Sequence, residues 1–344
     1  MELFMKYQVP LILTAAGLIF SGCDNTSRES NSNNNEIVTQ RFIHRYGYDV
    51  SKNEWESKDY PGQVITTYRN GVTLTCNYED GLVHGVKTTT YPHSQTLETK
   101  ETFARGNLTK RTSFDIRGIP IKEEHFLGPE HIKVLYWFSN GTPRATEEYL
   151  NDQLTSAEYY TLSNETEAKI ENGSGIRVLR NAKGQILSKE YVSQFELTRK
   201  ETFHLNGTPE STVNYKNGLL DGEKLVHAET GEPVAKEYFK DGVLHGVATY
   251  YQNGYKFLEI PFSSGMKEGI ERHYIDGNVV SEESEWHFNK KHGPTQIYFD
   301  GMVKTHWYYN HERVSKPKYD ELLQREDEIA ILNERARNSR SFTF

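Results

Sequence analysis

The chain has 344 residues and a formal net charge of -8, from 40 Lys and Arg against 48 Asp and Glu, with no dense basic stripe. That balance excludes a nucleic-acid partner held through its phosphates, and two cysteines are too few for a disulfide framework. Only 35% of the residues are hydrophobic, yet there are 22 Tyr and 16 Phe beside 26 Gly, so rings carry much of the apolar surface, as suits pleated strands.

Residues 1–22 hold one positive charge, Lys6, then an apolar run over 9–20 and the small pair Ser21-Gly22 before Cys23. A run this short fits the apolar region of a signal peptide better than a spanning helix, which needs about 20 residues. The segment resembles the bacterial lipobox, in which a small residue and Gly or Ala precede a lipid-accepting Cys; Phe20 departs from the usual Leu. The resemblance implies that Cys23 becomes the acylated mature N-terminus and the membrane anchor. It also implies a place in the cell envelope, with Asp24 favouring the periplasmic face of the inner membrane over the outer membrane. Residues 24–35, DNTSRESNSNNN, are wholly polar and cannot bury enough surface to fold, so residues 23–40 read as a tether.

From residue 41 to 314 the sequence is periodic. Gly71, Ser94, Gly118, Gly141, Asn164, Gly184, Gly207, Gly231, Gly254, Gly277 and Gly301 recur about every 23 residues, with one shortened step of about 20 between Asn164 and Gly184. A second turn lies half a period away, at Gly81, Gly106, Asp152, Gly218, Gly242 and Gly265, with Asn289 and Asn310 in its place late in the chain. Asn and Gly recur there because tight reversals between antiparallel strands need positive φ. Each period therefore predicts two strands. The fold expected is mainly β, an elongated antiparallel meander of about 11 hairpins of about 23 residues, with a short C-terminal helix.

Rings stand three positions before the turn residues: Tyr78, Phe103, Phe239 and Phe262 at one turn, and Tyr68, Phe138, Tyr251, Tyr274 and Tyr298 at the other. Cross-strand neighbours on one face interact, so these rings should form ladders. Tyr251, Tyr274 and Tyr298 are the candidate binding surface. The units, such as AKEYFKDGVLHGVATYYQNG at 235–254, resemble the MORN-variant repeats of bacteria over residues 45–314. The resemblance implies a meander that binds or scaffolds, and some relatives carry an antitoxin label; no catalytic residue comes with the motif.

After Pro317, residues 318–336 place Tyr319, Leu322, Leu323, Ile329 and Leu332 near one helical face, predicting a helix that caps the last strand; residues 315–344 form this helix and its tail. Cys76 reads as a small buried apolar residue. His84, His245 and His292 fall beside turns and read as exposed, while His287, His306 and His311 are the closest approach to a metal set. Carboxylates recurring once per unit, Glu101, Glu124, Glu148, Glu190, Glu237 and Glu285, read as solvated cross-strand charge pairs. No phosphate loop, zinc motif or nucleophile motif is present. Neither cofactor nor catalytic set is expected. The function expected is a membrane-tethered surface for a protein or envelope polymer. One alternative is an enzyme or enzyme accessory that binds or modifies envelope glycan, with rings stacking on sugars and a pair of the repeated Glu residues as acid and base in the irregular stretch 150–200. The other is an antitoxin-like partner of a secreted toxin.

Overall fold

The computed structural model describes residues 36–340, with side chains to residue 335. Those residues form 27 strands and two helices, so the chain is mainly β, and successive strands pair antiparallel. Two compact units divide at Gly118 and Ile119.

The first unit opens on the strand Ile37–His44, whose first half corrects the reading of residues 23–40 as tether. This strand pairs with Gly62–Tyr68 on one side and with the two-residue strand Asp49–Val50 on the other. Between them lies the helix Lys52–Lys58, which the sequence reading missed because seven residues show no period. Its signal is Ser51, whose side chain accepts from the Glu54 amide, the residue pairing of a capping box. The helix exists to deliver Trp55. That ring lies 5.7 Å from Phe42 and edge-on to Tyr78, closing a small core with Val64. Val64 pairs with Cys76, which is buried as expected.

The second unit is a meander from Pro120–Gly128 to Glu312–Val314. The half-period turns are two-residue reversals, with both residues left-handed at all but Pro129-Glu130, as at Asn217 and Gly218. The other turns at Gly141, Gly184, Gly207 and Gly231 place a single left-handed Gly at their end, while Asn253-Gly254, Asp276-Gly277 and Asp300-Gly301 use two left-handed residues. The Gly141 amide donates to the Phe138 carbonyl, and the Phe138 amide to the Thr142 carbonyl. In the first unit, the left-handed residue of the turn read at Ser94 is His93 instead. The irregular stretch keeps its half-period reversals: Asn172-Gly173 makes one with the expected Asn-Gly pair, and Gln194-Phe195 makes the next without it.

The shortened period has a structural consequence. Its strands Thr166–Glu171 and Ser174–Arg180 are joined by only two residue pairs, Ile170 with Gly175 and Glu171 with Ser174. Gly175 has φ 144, and a Cβ there would stand 2.1 Å from the Lys169 carbonyl oxygen, so only glycine fits. Beyond the pair the strands part, and turns that are not neighbours meet: the Ser139 amide donates to the Ala182 carbonyl at 2.8 Å. Side chains converge in the pinch, and Ala145, Ala157, Tyr159, Ile170 and Val178 form the unit's main apolar core.

After Glu312–Val314 the helix Lys316–Arg340 docks by its first turns. Tyr319 is buried against Trp307, 5.0 Å between rings, and Lys316 lies over the same indole. Tyr309 donates its hydroxyl to Glu326. Farther along, Ile329, Ile331 and Leu332 are exposed, so the cap is confined to the start of the helix.

Candidate binding face

Residues paired directly across an antiparallel ladder share a face. Over the strands from Pro233–Lys240 to Met302–Tyr309, one row of pairs runs Ala235, Tyr250, Leu258, His273, Glu282, Ile297, Lys304. The next row, on the opposite face, runs Lys236, Thr249, Glu259, Arg272, Glu283, Gln296, Thr305. The buried side chains Ala235, Ala248, Ile260, Glu271, Ser284 and Thr295 all belong to the first face, which is therefore the covered one. Its cover comes from long side chains folded over rings: Lys224 over Phe239, and Lys267 over Trp286 at 4.3 Å.

For Glu101, Glu190 and Glu237 this corrects the expectation of solvated charge pairs, whereas Glu285 is exposed as expected. Glu101 lies between Lys87 and Arg111, and Glu237 beside Lys224, with the carboxylate side chains only 12% and 15% exposed. Glu190 is shielded similarly between Lys200 and Arg177. Each pair sits beside a ring and a lysine stem that displace water, Phe103 under Lys87 and Phe239 under Lys224.

The two ring ladders fall on opposite faces. Phe239 and Phe262 pair with Gly222 and Gly246 on the covered side. Tyr251, Tyr274 and Tyr298 lie on the open side, all three partly buried. Tyr251 pairs with Lys256, whose ammonium stands 3.9 Å from the centre of the Tyr274 ring. Tyr274 donates its hydroxyl to Glu259 at 2.5 Å, and Tyr298 donates to Glu283 at 2.8 Å. Arg272 donates to Glu283 at 2.8 Å. Burial alone would raise the Glu259 carboxyl, but the Tyr274 hydroxyl and Lys256 outweigh it and hold its pKa below the usual range. The Tyr298 hydroxyl, with Arg272, lowers Glu283 in the same way. Both carboxylates are thus fixed as acceptors.

Beside this charged row runs a second strip that sequence reasoning did not single out: Tyr238, Val247, Pro261 and Ile270. Together with Lys236, Thr249, Glu259 and Arg272 it lines a shallow trough of about 510 Å³. Its signal was hidden by the repeated bulges. Tyr250 pairs with Leu258 but Tyr251 with Lys256, so one extra residue, Phe257, changes which side chains share a face.

The irregular stretch holds a different centre. Glu147 is buried and accepts from the hydroxyls of Tyr159 at 2.8 Å and Tyr149 at 2.7 Å, and from Arg177 at 2.9 Å. Burial would raise this carboxyl, but Arg177 and the hydroxyls lower it overall. A general acid for glycoside hydrolysis needs the opposite shift.

Among the histidines, His84 contacts Glu79 and His245 is exposed, whereas His292 departs from expectation. It lies between the rings of Tyr309 and Tyr319, with a buried Nδ1 that has no partner. His287 bonds Glu268, His306 meets Arg313, and His311 accepts from the Lys291 amide. Among the described residues no group of three could hold a metal ion. Cys23 lies outside the described residues. Compared with family models and with curated proteins, the chain matches none.

Proposed function

We propose that this chain is a bacterial envelope lipoprotein, anchored through acyl chains on Cys23, whose MORN-variant-like repeats hold out the open face of the second unit as a binding surface. The observation that carries this reading is the trough. It sets an aliphatic strip, Val247, Pro261 and Ile270, beside a row of charges already paired among themselves, an arrangement made for contact. The described carboxylates whose pKa is moved, Glu147, Glu259 and Glu283 among them, are all moved down, which favours binding over acid catalysis.

Photoreactive side chains placed in living cells test the reading. At Val247 on the open face they should trap an envelope component; at Lys304, exposed on the opposite face, they should not. Equal trapping at both positions, or none at Val247, contradicts it.

A further inference from the structure

Resting on the reading of the open face as the binding surface, the geometry narrows the ligand's chemistry. Equivalent positions recur once per hairpin, that is every two strands, about 10 Å along the sheet. An extended β-1,4-linked sugar chain repeats, disaccharide by disaccharide, over the same length. The charged row alternates in sign, Lys236, Glu259, Arg272, Glu283, and each member has a partner of opposite charge: Glu223, Lys256, Glu283 and Arg272. A polyanion or polycation would meet as much repulsion as attraction there. An uncharged hydroxyl, which donates and accepts at once, can bond to either sign without breaking a pair.

Apart from the exposed ring of Tyr238, the neighbouring strip is small and aliphatic, with Val247 and Ile270 both more than two-fifths exposed; it suits methyl groups, and the Tyr238 ring suits a sugar ring face. An extended peptide gains its affinity from free backbone groups at a strand edge, and here the backbone is engaged in the ladder on both sides. We propose that the open face from Lys236 to Gln296 binds an uncharged β-1,4-linked chain of N-acetylated amino sugars, laid across the strands with one disaccharide per hairpin. Hydroxyls meet the charged row, and acetamido methyls meet Val247, Pro261 and Ile270.

The test is calorimetric titration of the full-length chain, in detergent, with chitohexaose, chitobiose and cellohexaose. Chitohexaose should bind at least about tenfold tighter than chitobiose, because it engages more than one hairpin. Cellohexaose, lacking the acetamido groups, should bind more weakly than chitohexaose. The double variant Val247→Thr, Ile270→Thr should lose most chitohexaose affinity while its thermal unfolding is unchanged; Arg272→Gln is the independent check on the charged row. Absence of binding at millimolar chitohexaose, equal affinity for dimer and hexamer, or affinity indifferent to all these substitutions overturns the assignment. If chitohexaose fails while the group at Val247 still traps a protease-sensitive adduct, the sugar assignment falls and the binding face stands. If both fail, both fall.

Discussion

Arg177 donates to Glu147 across two intervening strands, from Ser174–Arg180 to Pro143–Leu150, so the buried pair closes the pinch that the shortened period opens. Its oxygens are also held by Tyr149 and Tyr159, and Arg177 reaches on to Glu190. The centre therefore fixes where the meander turns in on itself.

Arg177→Ala leaves Glu147 buried without its cation and should cost about 3–5 kcal/mol. Glu147→Ala leaves Arg177 partly exposed beside Glu190 and should cost less, and replacing both by apolar residues of similar volume should cost less than Arg177→Ala alone. Urea unfolding of the two single variants and a Glu147→Leu, Arg177→Met double variant measures this. A double variant as unstable as the sum of the singles would show that the two do not act as a pair.

The same pair predicts a direction in pH. The folded-state pKa of Glu147 is depressed, so its contribution is present above the unfolded carboxylate value, near 4, and is lost as pH falls through the lower folded value. Thermal stability should therefore fall as the solution is acidified below about pH 4, and Glu147→Gln should flatten that part of the profile. Parallel profiles for both proteins would assign the acid sensitivity to other groups.

Two glycines separate backbone strain from collision. Gly207 has a left-handed φ and nothing within 4 Å of a built Cβ, so Gly207→Ala should cost only about 1–2 kcal/mol. Gly175→Ala, driven into the Lys169 carbonyl, should cost distinctly more. Equal losses in urea unfolding would mean that the strands at the pinch can move apart freely.

Anchoring is tested outside the described residues. Radiolabelled palmitate should enter the wild type and not Cys23→Ala; equal labelling of both would remove the lipid anchor from this account.

Much of the architecture was legible because two-residue reversals demand left-handed residues, and Asn217-Gly218 and Asp241-Gly242 supply them in plain view. The same rule hid the reversal at Gln194-Phe195, where Phe195 takes φ 68 with its ring lying over Gly173. The tyrosines could be placed three residues before their turns, but not the trough beside them. Each bulge inserts one residue, and a shift of one moves every following side chain to the other face. Glu147 could not be singled out either, since its burial arises from strands that meet only once the period shortens.

The most direct test of the open face compares stability with binding in the same variants. Val247→Thr with Ile270→Thr, and Tyr274→Ala with Tyr298→Ala, should melt within about 2 °C of wild type, a small loss for partly exposed sites, yet capture far less of the component trapped at Val247. Phe239→Ala, on the covered face, should lower the melting temperature several times more. If the open-face variants keep full capture, or lose it only in proportion to lost stability, the open face is not the binding surface.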